Sequence, residues 1–556
     1  MTQEKAFEEF VVGDLETPPA TDVDDGGDST PLAAPEANAD DNNKREFRRS
    51  LSISEQAQEL HESRAPSFLR WIEVPLRIMN PATGVYLEEA TGHAMDVCSR
   101  GPINQTGSFV GSAILLAAAT QAGGPNMPVY GIKASSLLTV ATMIVGIVAG
   151  VSLPIIGAFV DHTDHRKAFG SITALITVVA VGLQVMVGQN TWFACFLIKI
   201  IGGFSLIVHQ VCALAYLPDL SHDVEAMAHY TAILTVNQYI VQGMFTIIII
   251  VTGTKMTNLQ TARLAAGLSC SVGVVLMGYA WTFLFRKRPK LRDVPPGSNL
   301  MTTGFKQLFR TSRVVFREYK ALKWFMIALL FSPEAGSGVV LAIAVTFLTF
   351  FVQMTVQEIA IVSLVMLLCN IPGAFMSRKM CKVVNPLNSF RMAEVCFACT
   401  NALIAGLVTG STQRDKNLLY LFGGLVGFSF GWMFPSQKTL SVALIPKGQE
   451  FEIMGLMSFF GQIVGWLPVF VFTAMNEAGL SMRWGVSTIS WFLIASFLCT
   501  LGCGSYEEAV RSVEHTSEKY LNEFSLRSRG NKGESSPEGG PTTTAMTESG
   551  RDVPVE

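Results

Sequence analysis

Charge is what this chain has least of. Only 15% of its 556 residues are Asp, Glu, Lys or Arg, where an average soluble domain carries about 25%. The deficit excludes an ordinary soluble surface over most of the chain, and the mean hydropathy of +0.37 agrees. No apolar core opens the sequence: Met1–Asp41 is acidic, so no cleavable secretion signal is expected. The ten cysteines are scattered, and the tightest pair, Cys396 and Cys399, has no other ligand type beside it. Neither a zinc cluster nor a disulfide framework is therefore expected. A phosphate-binding loop of the Gly-x4-Gly-Lys type is also missing, which argues against direct use of ATP. No nucleophile stands with a base and an orienting group, so an enzyme is not expected. Nor is a cofactor, a metal or a nucleic-acid partner.

What the chain has in place of charge is length without it. Charge-free runs cover Ala134–Val160, Ala168–Ile198, Ala226–Thr254, Leu264–Phe285, Asn417–Gln437 and Ile453–Asn476. A bilayer core about 30 Å thick is crossed by roughly 20 apolar helical residues. The pattern predicts an all-α polytopic membrane protein with spans at 103–122, 135–160, 168–188, 191–215, 228–252, 263–285, 322–352, 358–377, 390–410, 417–437, 452–476 and 482–504. Those are twelve transmembrane helices in two bundles of six. Trp192, Trp281, Trp324, Trp432 and Trp484 fall near span ends, where aromatic belts belong.

Ten basic residues sit between 286 and 321, while the opposite side offers only Lys133, Lys255, Arg263, Arg414, Lys416 and Arg483. Cationic loops stay cytosolic, so both tails are expected in the cytosol. The parts are then a cytosolic N-terminal region (1–100), a first bundle (101–285), a basic linker (286–321), a second bundle (322–504) and a cytosolic tail (505–556). Residues 1–65 have the composition of a disordered segment, with a basophilic kinase motif at Ser52. Residues 67–79 mix Phe68, Trp71 and Ile72 with Arg70 and Arg77, as an interfacial helix does. The tail begins with a helix-like stretch, Tyr506–Leu526.

The halves echo each other. Gly157-Ala158-Phe159-Val160-Asp161 precedes Arg166-Lys167, and Gly373-Ala374-Phe375-Met376-Ser377 precedes Arg378-Lys379. Each glycine would let helices approach closely, and each polar residue four positions on can cap a neighbouring helix. With these residues the chain resembles the Major Facilitator Superfamily, whose signature between the second and third helices is Gly, three residues, Asp, Arg and further basic residues. Gly157 and Asp161 match; His162 stands where that family has Arg. Tyr130–Ser136, Ala215–Leu220, the 157–167 loop and Ile445–Gly455 also resemble its autophagy-related vacuolar effluxer-like branch. The resemblance implies a twelve-helix alternating-access fold and export of amino acids from a vacuole-like lumen. It also implies that Asp161 braces the cytosolic end of the first bundle against the start of the eleventh helix, with Gly157, Gly373, Pro446 and Glu450 as further gating candidates.

Transport needs polar groups at mid-membrane. Glu334 lies ten residues beyond Trp324, about 15 Å along a helix, and is the acidic residue expected deepest in a span. It is a candidate proton site or a contact for a substrate ammonium, or the partner of a basic side chain such as Lys199. The flanking Pro333, Gly336 and Gly338 should loosen the seventh span. Lys199 is a candidate for a substrate carboxylate, for pairing with Glu334, or for snorkelling to the interface. Asn237, Gln238, Asn370, Asn401 and Gln462 fall at mid-depth, as cavity lining or as helix-to-helix hydrogen bonds. His209 and Gln210 are gate or packing residues, and Arg391 with Glu394 a weak surface pair.

The expected function is secondary active transport of small polar solutes, amino acids first, with proton coupling as an option. A sugar or drug carrier of the same class, or a membrane sensor or scaffold, is the alternative. The partners expected are the solute, protons and the bilayer, of a vacuolar or lysosomal membrane first and a plasma membrane second. The sequence sets no oligomeric state.

Overall fold

The computed structural model describes residues 79–80, 85–216, 224–286, 299–332, 338–446 and 450–516. Ser52, nearly all of the 67–79 segment, Glu334 and the tail beyond 516 lie outside the described residues. Ten of the described helices are long and apolar enough to cross a membrane. Two further crossings, the first and the seventh, complete a twelve-helix architecture of two six-helix bundles.

In chain order the first bundle holds α1 (Leu87–Ala122), α2 (Leu137–His162), α3 (Arg166–Leu183), α4 (Trp192–Leu214), α5 (Val224–Gly253) and α6 (from Asn258, widening to π-helical turns up to Leu284). Helix α7 (Leu300–Glu318) is the linker. The second bundle holds α8 (Lys320–Phe331), α9 (Val339–Thr346, with a π-turn Phe347–Phe351), α10 (Val356–Val384), α11 (Pro386–Leu407), α12 (Gln413–Ala443), α13 (Glu450–Ile463), α14 (Leu467–Glu477) and α15 (Met482–Leu501). The side of the molecule carrying α7 is called the linker face and the other the far face.

Helix starts are written locally. Thr257 with Gln260 and Thr355 with Glu358 form capping boxes at α6 and α10. Thr412 caps α12 through the Asp415 amide, and Asn385 caps α11, with Pro386 at its first position. Between α1 and α2 a two-residue turn, Tyr130 (φ 53°) and Gly131 (φ 83°), joins Pro128–Val129 to Ile132–Lys133 as a hairpin. Both positive φ values identify the tight turn that suits strand twist, and Gly131 takes its share without a Cβ clash.

The outer faces are apolar, inverting a soluble protein: on α3, Ile172, Leu175, Val179 and Leu183 recur every three or four residues and are all exposed. Small residues set the helix contacts instead. On α12, Gly423, Gly427 and Gly431 repeat every four residues, and a Cβ at either of the last two would overlap a backbone carbonyl of α10, that of Met366 or Asn370. Gly373 on α10 meets the Phe428 carbonyl in the same way. Its repeat partner Gly157 does not: a Cβ there would meet nothing within 4 Å. The close approach at that end of α2 comes from the linker, where Gly304 of α7 packs on Pro154 and Ala158.

Four expectations need correction. The first span begins at Leu87, not 103, so a boundary at 100 cuts α1. Hydropathy hides those extra turns, because Glu88, Glu89, His93, Asp96 and Arg100 sit in them, all buried. The seventh span is two helices, not one loosened span: Ser332 is extended and Gly338 left-handed (φ 76°). Trp192, Trp281 and Trp432 lie inside the bundles, their indole N–H groups held by Gln121, Asp96 and Ser389; of the belt candidates Trp484 is exposed. Glu394 is fully buried and accepts from Ser496 at 2.5 Å, while Arg391 holds the end of α15 through Thr500, so they form no surface pair.

Candidate transport pathway

The two bundles meet along α5 against α10, and along α2 against both halves of the eleventh span. Gly146 and Gly150, one turn apart on α2, let that helix lie on Trp466 and Ile463. Trp466 stands where Pro468 breaks the eleventh span into α13 and α14. A moving contact needs such a surface: small, smooth and without interlocking side chains.

Polar groups midway along their helices gather on this boundary. Tyr239, midway along α5, stands opposite the Asn370 side chain midway along α10, a polar contact between bundles. Asn370 was a sequence candidate; Tyr239 was not, since a tyrosine in an apolar run reads as packing. Gln242, one turn further on α5, donates to Gln105 of α1 at 3.2 Å. Asn237 and Gln238 are half-buried on the preceding turn, and Gln238 packs its backbone on Gly101. Gln462 lines a cavity of about 10 Å³ with Thr142, Gly146, Ile207, Val339 and Trp466, room for a single water. Asn401 is elsewhere: only 3% exposed, it donates to the Phe397 carbonyl one turn back on its own helix, so it lines no cavity.

Lys199 of α4 donates from Nζ to the Gly107 carbonyl of α1 at 2.8 Å. Half-buried, it pairs with no described carboxylate, and a neutral carbonyl holds its ammonium.

Toward the far face the bundles are laced together. Asn476 at the end of α14 donates to both Ser135 Oγ and Ser136 Oγ at 2.8 Å. Thr473 Oγ1 donates to Thr139 Oγ1 at 2.8 Å. The hairpin delivers Lys133, whose Nζ reaches the Asn476 carbonyl at 2.6 Å and whose backbone N–H reaches Glu477 at 3.1 Å. Thr349 of the seventh span donates to Ser112 of α1 at 3.0 Å, and Asn258 at the head of α6 accepts from the Val356 amide at 3.1 Å. These groups join opposite bundles, and the far side is closed. Sequence reading passed over this seam because isolated Ser, Thr and Asn at span ends resemble caps.

At the linker face the gating candidates are only partly in view. Asp161 is the penultimate residue of α2 and Pro446 is buried after α12. The side chains of Asp161 and Glu450 lie outside what is described. Gly373 packs within its own bundle, and Gly157 faces open space.

A second polar centre, absent from the sequence candidates apart from His209, lies inside the first bundle. Asp96 of α1 accepts from His209 Nε2 of α4 at 2.7 Å and from Trp281 Nε1 of α6 at 2.9 Å, and pairs with Arg100 one turn along. Asp96 and His209 have no solvent exposure. Gly170 of α3 makes the centre possible, since a Cβ there would overlap the Trp281 ring. Gly170→Ala is expected to push Trp281 off Asp96 and lower stability by about 1–3 kcal/mol, read as a lower melting temperature with red-shifted tryptophan emission. The signal for the centre was present as Glu89, His93, Asp96 and Arg100, spaced four, three and four, one face of a helix.

Residues 109–468 match the family model described as Major Facilitator Superfamily. Among solved structures, a mutant of the nucleoside transporter NupG superposes with a TM-score of 0.54 at 14% identity, covering 75% of this chain and all of that one. A D-xylose–proton symporter gives a TM-score of 0.54 at 12% identity, with 76% and 99% covered. The E. coli xylose transporter XylE, in a partially occluded inward-open conformation, gives 0.53 at 11%, with 74% and 96% covered. No match was found among curated protein sequences.

Proposed function

Because the chain belongs to the Major Facilitator Superfamily, an integral multi-pass family of secondary transporters, we propose that it carries zwitterionic amino acids by alternating access between its two bundles. The observation that carries this reading is Lys199. A half-buried cation that meets a neutral carbonyl and no described carboxylate is less stable than one facing an anion. A substrate carboxylate makes up that difference by replacing Gly107 as the partner of Nζ. Tyr239, Asn370, Gln242 and Gln105 supply neutral hydrogen bonds at the same depth, and Glu334 is retained as the acidic partner of the substrate ammonium. Sugars and nucleosides, named for the neighbouring structures, carry no carboxylate for Lys199.

The linker face is the cytosolic one in this reading, with both tails on it, and the far face opens to a vacuole-like lumen. The laced far side makes the observed state one closed to the lumen. That assignment and amino-acid export rest on the sequence resemblance and the basic linker.

Exchange of labelled amino acids across proteoliposome membranes tests the substrate class. Lys199→Ala is expected to reduce exchange at least tenfold, since an interaction of about 1.4 kcal/mol is a factor of ten, while monodispersity and melting temperature stay near the parent's. Equal exchange in parent and variant refutes the role of Lys199. Exchange of sugars but not amino acids by the parent refutes the substrate class.

A further inference from the structure

The buried centre around Asp96 and His209 is larger than packing requires, and its hydrogen-bond geometry is specific. His209 Nε2 faces the Asp96 carboxylate at 2.7 Å, while Nδ1 faces the Gly170 carbonyl at 3.2 Å and Thr173 Oγ1 at 3.3 Å. A carboxylate and a carbonyl only accept. Both ring nitrogens are thus offered acceptors, an arrangement that suits an imidazolium with two N–H groups. A neutral ring is served as well. The Thr173 hydroxyl can turn its proton to Nδ1, or away to the carbonyls of Phe169 at 3.0 Å and Gly170 at 2.9 Å. One rotating hydroxyl therefore lets the site hold or release a proton without moving a heavy atom.

We propose that Asp96, His209 and Thr173 form a proton-binding site, with the proton carried on the His209 imidazole, and that this site couples solute movement to a proton gradient. The coupling half rests on the transport reading above.

Every charged or titratable group around the site is consistent with one exchangeable proton. On α1 these are Glu88, Glu89, His93 and Arg100; beyond α6 lies Arg286, at 2.6 Å from Glu88; α3 contributes Arg166, engaged with the Ala215 carbonyl at 3.0 Å and the Tyr216 ring. Arg100 already balances Asp96, so the proton on His209 is not the ion pair's sole counter-charge and can leave. His93 lies within electrostatic range of Asp96, Arg100 and His209 and has a buried Nε2 with no hydrogen-bond partner among the described residues. It stands between Glu89 and Asp96 on the α1 stripe, a stepping stone from the linker face.

Coupling follows from which helices are shared. Asp96 and Gly107 lie on α1, His209 and Lys199 on α4, so the same two helices are tied at two points, ten or eleven residues apart, about 15 Å. A proton on His209 strengthens the tie at one point, because charge-assisted bonds are roughly twice as strong as neutral ones. A substrate carboxylate at Lys199 loosens the other. Two ligands that bias one helix pair are thermodynamically linked.

Trp281 provides a reporter that does not depend on transport, because its ring stands edge-on to His209 at 5.0 Å and its N–H is on Asp96. Protonated imidazole quenches indole emission. In the purified full chain, the part of the emission lost in Trp281→Phe is expected to change with pH as a single site, and the change to vanish in His209→Gln. Thr173→Val is expected to displace its midpoint, and serves if His209→Gln does not fold. In proteoliposomes, uptake by the parent should rise with an applied proton gradient, and His209→Gln should lose that dependence. A flat Trp281 signal in the parent, or a titration that survives in His209→Gln, overturns the proton site. A gradient response equal to the parent's in His209→Gln overturns the coupling. A parent that moves no solute at any pH sinks the transport reading and the coupling with it, while the fluorescence still decides whether His209 binds the proton.

Discussion

Oxidising a Thr139→Cys/Thr473→Cys pair is expected to abolish solute movement, and reducing it to restore the movement fully. The two hydroxyl oxygens lie 2.8 Å apart across the far seam, and the sulfurs that replace them need to approach to about 2.05 Å, a shift that small side-chain rotations supply. Thr139 belongs to α2 and Thr473 to α14, so the bond joins opposite bundles. A rocking transporter must part these two helices once per cycle to open the far side, and a covalent link of that kind forbids it. Each single variant controls for the ten native cysteines, all unpaired in the structure. A cross-link verified by mass spectrometry that leaves exchange at the parent's rate would show that this seam is not a gate.

How much of this was legible beforehand depended on whether a feature was written locally. Span positions were, because about 20 apolar residues are needed wherever a helix crosses lipid and nothing distant alters that need. The seventh span was legible only as loosened, from Pro333, Gly336 and Gly338 in its sequence; that it parts into two helices was not. The foot of α1 was not. Its charges read as solvent-exposed, and only the surrounding helices, with Trp281 and His209 turned inward, make those residues interior. Hydropathy averages over a helix circumference, so it registers lipid-facing residues and misses a polar face buried against neighbours.

The same limit explains the candidate residues. Depth along a helix can be counted from its ends. Direction around the helix cannot be counted without partners: Asn401 turns back on the Phe397 carbonyl. The far seam was invisible for a different reason. Most of its bonds join residues more than 200 apart in sequence, such as Ser136 with Asn476 and Ser112 with Thr349. Only the hairpin was locally encoded, through Tyr130-Gly131, and it sets Lys133 where the seam needs it.

Gly431→Val should be the most damaging single substitution in the second bundle. A Cβ at Gly431 would overlap the Asn370 backbone carbonyl and come within 2.6 Å of Asn370 Oδ1. Backbone cannot turn aside as a flexible side chain does, so α10 and α12 must separate along the Gly423, Gly427 and Gly431 stripe. Overpacking of a core costs about 1–3 kcal/mol, and a clash against main chain belongs at the upper end. The damage also reaches the boundary between bundles. Asn370 stands opposite Tyr239 across that boundary, and displacing it disturbs this contact along with the packing, so both melting temperature and exchange rate are expected to fall. Gly455 is the matched control, being a glycine in α13 whose added Cβ would meet nothing within 4 Å. Gly455→Ala there is expected to hold or raise stability, by up to about 1 kcal/mol from reduced backbone entropy. If Gly431→Val melts with the parent and Gly455→Ala does not, close contact on this stripe is not what holds the bundle together.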